Sequence, residues 1–285
     1  MTEDQSRNPR IGIIAGGGDM PGLVAQAAIA QGREVHILGI LGDASPDIEN
    51  YPHTWFKLGE FGKLFKTLKK QNCKDVVLVG SVKRPDMKKI RFDLGAIRLI
   101  PFVLSLTVGG DDSVLSRIVK YFEKKGFNIR GAHEVAPGLL ADEGCLTSRQ
   151  PSVQDLEDIK IALKVVRTLG QLDVGQAAVV AKGYTLAVEA AEGTDAMLAR
   201  CAGLRQWGSK SDNRKVGVLV KCPKPGQEKR IDMPTIGVQT IDNVADAGLA
   251  GIAVSADDVL LAGKEDVIQR AAERDIFVVG VNINT

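Results

Sequence analysis

The sequence is poor in aromatic residues, in cysteine and in excess charge of either sign. Aromatic residues make up 5% of the 285 positions, too few to predict a surface on which nucleic-acid bases stack. The 37 Lys and Arg residues nearly balance the 35 Asp and Glu residues, so bulk charge does not favour nucleic-acid binding. The four cysteines form no C-x-x-C pair, which argues against a disulfide framework and against the common zinc motifs.

Long apolar stretches are also missing. No run of 18 uncharged apolar residues occurs, which argues against a membrane-spanning helix. The nearest approach, residues 94–108, is interrupted by Arg98 and Pro101. A buried helix is one interpretation of this segment, and a groove for acyl chains or a membrane contact is the other. Residues 1–10 lack the apolar core of a signal peptide, so we expect a cytoplasmic protein.

What the sequence has is an alternation of short apolar segments with amphipathic ones. Strands are predicted at 10–15 and 75–80, and a helix is predicted at 112–125. Continuous apolar strands between helices are typical of a parallel sheet covered on both faces. We therefore predict an α/β protein of two domains. A Rossmann-like nucleotide or sugar-phosphate domain is expected at 1–132, and a second α/β domain is expected at 133–285.

The second half of the chain repeats the alternation. Ser152 is followed three residues later by Asp155, which predicts a capping box at the start of an amphipathic helix. A buried strand is predicted at 216–220.

Three consecutive glycines at 16–18 follow the first predicted strand. Pro21 comes next and favours a helix start. Glycines at this place let backbone N–H groups approach a phosphate, and the helix N-terminus adds positive potential. The dinucleotide fingerprint is incomplete because Pro21 occupies its last glycine position. A nucleotide or sugar phosphate is therefore favoured over NAD, and a plain tight turn is the alternative.

Two further glycine-containing segments follow. Residues 80–85 end a predicted parallel strand, at the edge where open α/β sheets bind ligands; they offer the Ser81 hydroxyl and two cations, or else form a solvated loop. Residues 109–113 place Asp111 and Asp112 before a predicted helix. These acids would repel a phosphate, so they indicate a helix cap, an acceptor for a sugar hydroxyl or a cation ligand.

A rigid, cationic loop follows the strand at 216–220. Four cations fall at 221–230, among prolines and a glycine, and Asp232 comes directly after them. Held rigidly, such cations could clamp a pyrophosphate. They would also keep Asp232 ionised, and an ionised carboxylate is a good ligand for a hard metal ion. The alternative is a hairpin whose second strand is 230–233.

Carboxylates are spaced by three residues at Glu189, Glu192 and Asp195. Mg²⁺ commonly takes one or two protein carboxylates together with phosphate oxygens of the substrate. The alternative is a charged strand end followed by a helix that Thr194 or Asp195 caps.

Taken in order, these segments resemble the LpxI family, the UDP-2,3-diacylglucosamine pyrophosphatases of lipid A biosynthesis. The resemblance covers nearly the whole chain. It is carried by GIIAGGG at 12–18, VGSVKRP at 79–85, GGDDS at 109–113, VAKG at 180–183, VEAAEGTD at 188–195, and KPGQ through DMPTIG at 224–237.

The resemblance implies a metal-dependent enzyme, with Mg²⁺ or another divalent cation. It implies cleavage of UDP-2,3-diacylglucosamine to UMP and 2,3-diacylglucosamine 1-phosphate (lipid X). It also implies a homodimer that contacts the inner face of the inner membrane. From the balanced charge and the few aromatic residues, we expect no nucleic-acid partner. The second domain, at 133–285, would be the catalytic one.

The predicted site combines both lines of reasoning. The resemblance implies that Asp232 is essential, and charge and position suggest that Lys221 and Arg230 bind phosphate as catalytic residues. The predicted metal ligands are Asp232, Glu189 and Glu192. The predicted substrate contacts are Gly16, Gly17, Gly18, Gly80, Ser81, Lys83, Arg84, Asp111, Thr185, Lys224, Gln227 and Thr235. Two other functions stay open: an NAD(P)-linked oxidoreductase and a non-catalytic module that binds lipid or nucleotide.

Overall fold

The computed structural model describes residues 10–82, 111–204 and 215–283. Two parts of the predicted site region lie outside these ranges, namely the apolar segment 94–108 and the predicted phosphate contacts Lys83 and Arg84. None of the helices within the described ranges combines the length and the apolarity needed to cross a bilayer.

The chain forms two compact units. Unit 1 comprises Met1–Pro137 together with Glu228–Asp232, and unit 2 comprises Gly138–Gln227 together with Met233–Thr285. The sequence placed the domain boundary after residue 132. The chain leaves unit 1 after Pro137 and returns to it for one short segment late in the sequence.

Unit 1 is built on a parallel sheet. Its strands are β1 (Arg10–Ala15), β2 (Val35–Ile40), β3 (His53–Phe56), β4 (Cys73–Val79) and β5 (Asn128–Arg130). They lie in the order β3-β2-β1-β4-β5, and every neighbouring pair is parallel. The strand order reverses between β1 and β4, which is the place where open α/β sheets bind ligands.

The described residues of unit 1 also form helices and a 3-10 turn. They are α1 (Met20–Ala30), the 3-10 turn Pro46–Asn50, α2 (Phe61–Lys70), α3 (Asp111–Lys124) and α4 (Ala132–Val135). Ile118, Val119 and Phe122 of α3 face the apolar core, as their helical spacing predicts. The Phe122 ring lies 5.0 Å from the Phe65 ring of α2, so the two helices share one aromatic cluster.

Unit 2 contains two sheets. The strands of the larger sheet are β6 (Gly144–Cys145), β7 (Ala177–Ala181), β8 (Tyr184–Val188), β9 (Val218–Lys221), β11 (Gly251–Ser255) and β13 (Phe277–Val281); those of the smaller one are β10 (Thr235–Gly237) and β12 (Leu260–Ala262). The larger sheet has the order β6-β13-β11-β9-β7-β8, with a parallel centre formed by β13, β11 and β9.

The described residues of unit 2 form four helices. They are α5 (Val153–Gln171), α6 (Gly193–Gly203), α7 (Val238–Asp246) and α8 (Lys264–Glu273). The predicted capping box at the start of α5 is confirmed. The backbone N–H of Asp155 donates to Ser152 Oγ at 3.2 Å, and the backbone N–H of Ser152 donates to Asp155 Oδ2 at 2.9 Å.

The predicted α/β class and the parallel N-terminal sheet are confirmed, and three local predictions need correction. The strand predicted at 216–220 is Val218–Lys221. The hairpin alternative is wrong, because residues 230–233 form a turn and irregular backbone instead of a strand. Helix α3 begins at Asp111, so Asp112 lies inside the helix and does not precede it as a cap.

Candidate active site

Two of the predicted glycine segments meet at one edge of the sheet of unit 1. The turn after β1 and the turn after β4 exchange a pair of backbone hydrogen bonds. Gly17 donates to the Ser81 carbonyl at 2.7 Å, and Ser81 donates to the Gly17 carbonyl at 3.0 Å. Gly16, Gly17, Gly80 and Ser81 are therefore brought together at the place where the strand order reverses.

The glycines at this edge have a packing role. A Cβ added to Gly16 would lie 2.4 Å from the Ser81 carbonyl oxygen, and one added to Gly80 would lie 2.7 Å from the Gly17 carbonyl oxygen. Gly80 also has a φ of +97° and Gly18 a φ of +86°. The close approach of two backbones thus explains why Gly16 and Gly80 have no side chain. A Cβ added to Gly18 would meet no atom within 4 Å.

A small cavity lies beside the glycine turn, between the start of α1 and the 3-10 turn. Its volume is about 280 Å³, and its lining includes Gly18, Gln26, Ser45, Asn50 and Tyr51. Asp19, Asp47, Leu23 and Ile48 also line it, so polar and apolar groups both face the cavity. Ligand pockets are usually about 300–1,000 Å³, so this cavity suits one part of a larger ligand.

A buried polar chain joins three residues of unit 2. The Thr194 hydroxyl donates to Glu189 Oε1 at 2.6 Å and accepts a hydrogen bond from Lys221 Nζ at 3.1 Å. Glu189 and Lys221 are only 6% and 8% exposed. Lys221 also donates to the Thr235 carbonyl at 3.1 Å. The structure therefore brings together Glu189, Lys221 and Thr235, which the sequence had placed in separate motifs.

The loop after β9 is braced by its own side chains. Gln227 is buried, and its Oε1 accepts a hydrogen bond from the backbone N–H of Lys224 at 2.9 Å. The Lys224 ammonium lies 2.5 Å from Asp173 Oδ1. Both predicted substrate contacts thus have structural partners within unit 2. Thr185, another predicted contact, is exposed on β8.

The two predicted metal ligands of unit 2 are engaged by protein groups. Both oxygens of Glu189 accept hydrogen bonds, one from Thr194 and one from the backbone N–H of Gln176 at 3.1 Å. Glu192 forms an ion pair with Arg200 at 2.7 Å. Within the described ranges, no three His, Cys, Asp or Glu residues are grouped as a metal site. The metal-ligand set of Asp232, Glu189 and Glu192 stays a prediction.

The Glu228–Asp232 segment forms a turn within unit 1. The backbone N–H groups of Ile231 and Asp232 both donate to the Glu228 carbonyl at 3.0 Å. Ile231 packs against the apolar cluster that contains Val119 and Phe122. Asp232, the residue that the sequence singles out, is half-buried at the end of this turn.

Arg230 is held between two carboxylates. Its Nε and Nη2 donate to the two oxygens of Glu228 at 2.8 and 2.7 Å, and its Nη1 donates to Glu123 of α3 at 2.9 Å. The hydrogen bond from Arg230 lowers the pKa of Glu228. In turn, the bond to Glu228 raises the pKa of Arg230 further above its usual range. The guanidinium is therefore charged and already paired.

A thiolate nucleophile is not favoured at Cys222, which directly follows Lys221. Burial raises the pKa of Cys222 to about 11. Burial likewise raises the pKa of Cys73 to about 11. Both thiols stay protonated at neutral pH, and a thiol is a poor nucleophile compared with a thiolate.

Sequence reasoning missed three side chains of these clusters. Thr194 was considered only as a cap, but α6 begins at Gly193 with Glu192 as its N-cap residue, so both cap candidates, Thr194 and Asp195, were wrong. Glu123 and Glu228 were not singled out at all. The E-x-R spacing of Glu228 and Arg230 was a usable local signal, whereas Glu123 is 107 positions from Arg230 and gave none.

Comparisons with known proteins agree with the fold and its division. Residues 10–139 match the family model described as LpxI N-terminal domain, and residues 142–279 match that described as LpxI C-terminal domain. A protein of Caulobacter vibrioides named UDP-2,3-diacylglucosamine pyrophosphatase LpxI is 43% identical over 273 residues. The alignment covers 96% of this chain and 98% of that relative.

Proposed function

The chain belongs to the LpxI family, and from this premise we propose that it hydrolyses the pyrophosphate bond of UDP-2,3-diacylglucosamine. The products would be UMP and 2,3-diacylglucosamine 1-phosphate. The observation that carries the proposal is the 43% identity to the named pyrophosphatase, which extends over 96% of the chain and therefore through both units.

The edge of the sheet in unit 1 supports a phosphate-containing substrate. The turns after β1 and β4 meet where the strand order reverses, and ligands of open α/β sheets bind at such points. Gly18 faces open space just before α1, so backbone N–H groups at the helix start can approach an anion. The nearby cavity has the size of one part of a nucleotide sugar.

The reaction needs a water molecule to attack phosphorus in line with the leaving group. Catalysis of phosphoryl transfer is mainly positioning and charge stabilisation. A carboxylate such as Asp232 can orient the water and accept its proton. Lys221 is proposed to stabilise phosphate charge, and Thr194 and the Thr235 carbonyl hold its ammonium.

Divalent-cation dependence stays a prediction that rests on the resemblance. Glu189 and Glu192 are engaged by Thr194, Gln176 and Arg200, so no step is assigned to them as ligands. A cytoplasmic position, peripheral contact with the inner face of the inner membrane and a homodimer are proposed with it. The proposed substrate, which carries two acyl chains, supports the membrane contact.

The experiment that tests the function identifies products. Purified protein is incubated with UDP-2,3-diacylglucosamine and Mg²⁺ in H₂¹⁸O, and the products are analysed by mass spectrometry. We expect UMP and the diacylglucosamine phosphate in equal amounts, with one ¹⁸O in one of the two phosphates. That label would identify which phosphorus the water attacks.

The same assay separates the alternatives. A non-catalytic module would retain the intact nucleotide sugar at every Mg²⁺ concentration. An NAD(P)-linked oxidoreductase would copurify with a nicotinamide cofactor and would leave the pyrophosphate whole. Either result would overturn the proposed hydrolysis.

A further inference from the structure

We propose that Arg230 is a positioning residue: together with Glu228 and Glu123 it holds the turn that carries Asp232, and it does not bind substrate phosphate. The inference rests on the proposed function, in which Asp232 is the essential carboxylate. It replaces the phosphate-binding role that the sequence alone suggests for Arg230.

The charges around Arg230 argue against a phosphate contact. Its three kinds of guanidinium nitrogen all donate to carboxylate oxygens within 2.9 Å. One positive and two negative charges leave this cluster with a net charge of −1. A phosphate group brought to it would meet repulsion, and it would have to displace a two-point interaction of the strongest kind that Arg makes.

The same contacts fix the backbone next to Asp232. Arg230 donates hydrogen bonds to the carboxylate of Glu228. The backbone carbonyl of Glu228 accepts hydrogen bonds from the N–H groups of Ile231 and Asp232. The third donor of Arg230 fastens the turn to Glu123 on α3. Ile231 anchors the turn in the apolar core of unit 1. The place of Asp232 therefore depends on an ion pair with a helix more than 100 positions earlier in the sequence.

Small displacements of a catalytic group have large effects on rate. A misplacement of about 1 Å can cost about 100-fold in rate. Loosening the turn should therefore lower kcat while the affinity for substrate is kept. Removal of a phosphate contact has the other signature, since it weakens binding and raises KM.

The test is a double-mutant cycle on hydrolysis of UDP-2,3-diacylglucosamine. Arg230→Gln is expected to lower kcat about 10-fold and Glu123→Gln about threefold, each with KM changed less than twofold. The double variant should resemble Arg230→Gln alone, because both changes break one ion pair. Arg230→Lys should stay impaired, since an ammonium cannot form the two-point interaction. Lys124→Gln, an exposed neighbour of Glu123 on α3, should behave as wild type.

A second readout is independent of activity. Hydrogen exchange of the Asp232 amide should be at least threefold faster in Arg230→Gln and in Glu123→Gln than in wild type and Lys124→Gln. If Arg230→Gln does not fold, Glu123→Gln decides: faster exchange with a lower kcat supports the proposal, and no change overturns it.

The opposite results are equally clear. A raised KM for Arg230→Gln, with wild-type kcat and exchange for Glu123→Gln, would restore Arg230 as a substrate contact and overturn the inference. If wild-type protein hydrolyses nothing, the proposed function fails, whereas the exchange measurement still decides whether Arg230 and Glu123 hold the turn.

Discussion

The Thr194 hydroxyl lies 2.6 Å from Glu189 Oε1 and donates to it, while the same oxygen of Thr194 accepts a hydrogen bond from Lys221. The Thr194 hydroxyl thus links the buried side chains of Glu189 and Lys221. Neither charged group is left without hydrogen bonds, which is the condition under which buried charge is tolerated.

Replacing Thr194 should break this chain. Thr194→Val keeps the shape but removes both hydrogen bonds, and the cost of leaving buried polar groups without partners is about 1–3 kcal/mol. We expect this loss in the free energy of unfolding, measured by urea denaturation, and a lower kcat. Thr194→Ser keeps the hydroxyl and is the matched control. Equal stability of the Val and Ser variants would contradict the bridging role.

Asp232 should be needed for turnover and not for substrate binding. Asp232→Asn removes the charge with little change in shape, and loss of a group that transfers a proton costs about 10²–10⁴-fold in rate. We expect a decrease of this size in kcat, with the dissociation constant for substrate unchanged in equilibrium binding. Glu265→Gln, at an exposed acid of α8, serves as control. Wild-type turnover by Asp232→Asn would exclude this carboxylate from the reaction.

Gly16 should be intolerant of any side chain. The Cβ of Gly16→Ala would lie 2.4 Å from the Ser81 carbonyl oxygen, so one of the two turns must move. Overpacking of this kind costs about 1–3 kcal/mol, and the product-formation rate should fall with it. In Gly22→Ala the new Cβ meets nothing within 4 Å, and the change should raise helix stability by about 0.5–1 kcal/mol. Thermal denaturation of both variants gives the comparison.

Acid stability should depend on Asp75. Burial on its own would raise the pKa of Asp75, but hydrogen bonds from Asn128 and Arg33 and the charges of Arg33 and Arg130 hold this pKa below its usual value of 3.8. Because the folded-state pKa is the lower one, the stabilisation is present above pH 3.8 and is lost as the pH falls through the folded-state value.

The corresponding variant is Asp75→Asn. Its free energy of unfolding at pH 7 should be about 1–3 kcal/mol below that of wild type, because the mostly buried Arg33 guanidinium loses the charged partner Asp75. The difference in the free energy of unfolding between Asp75→Asn and wild type should become smaller as the pH falls below 3.8. Urea denaturation at pH 7, 5 and 3 measures this difference. The exposed Glu157→Gln is the control. If the difference in the free energy of unfolding were the same at all three pH values, Asp75 would be excluded as the source of the acid dependence.

Metal dependence can be separated from the carboxylates of unit 2. We expect EDTA to abolish hydrolysis and Mg²⁺ to restore it, as the resemblance implies. Because Glu192 is paired with Arg200, Glu192→Gln should change the half-saturating Mg²⁺ concentration less than twofold. A change of 10-fold or more would return Glu192 to the ligand set, and full activity in EDTA would remove the metal from the mechanism.

The part of the site that the sequence predicted well depends on local signals. Apolar strands that end in glycine place their turns at one edge of a parallel sheet, and the Gly17–Ser81 hydrogen bonds follow from β1 and β4 being neighbours. The capping box at Ser152 is likewise a relationship between residues three apart. Such features need no knowledge of the tertiary structure.

The interactions that the sequence could not predict depend on distant partners. A cluster of cationic residues in a sequence suggests a phosphate site, because the sequence does not show which carboxylates pair with them. Arg230 pairs with Glu123 and Lys224 with Asp173, and only the fold brings these pairs together. The hydrogen bonds to Glu189 were not predicted for the same reason, since the donor Thr194 lies at a helix start and the donor Gln176 lies just before a strand.

The Glu228–Asp232 segment also means that unit 1 is not encoded by one continuous stretch of sequence. A fragment that ends at Pro137 would lack Ile231, which packs against the apolar cluster of unit 1. The complementary fragment would carry Ile231 without that cluster. We therefore expect that a polypeptide divided at Pro137 folds less stably than the intact chain, because unit 1 needs residues from both fragments.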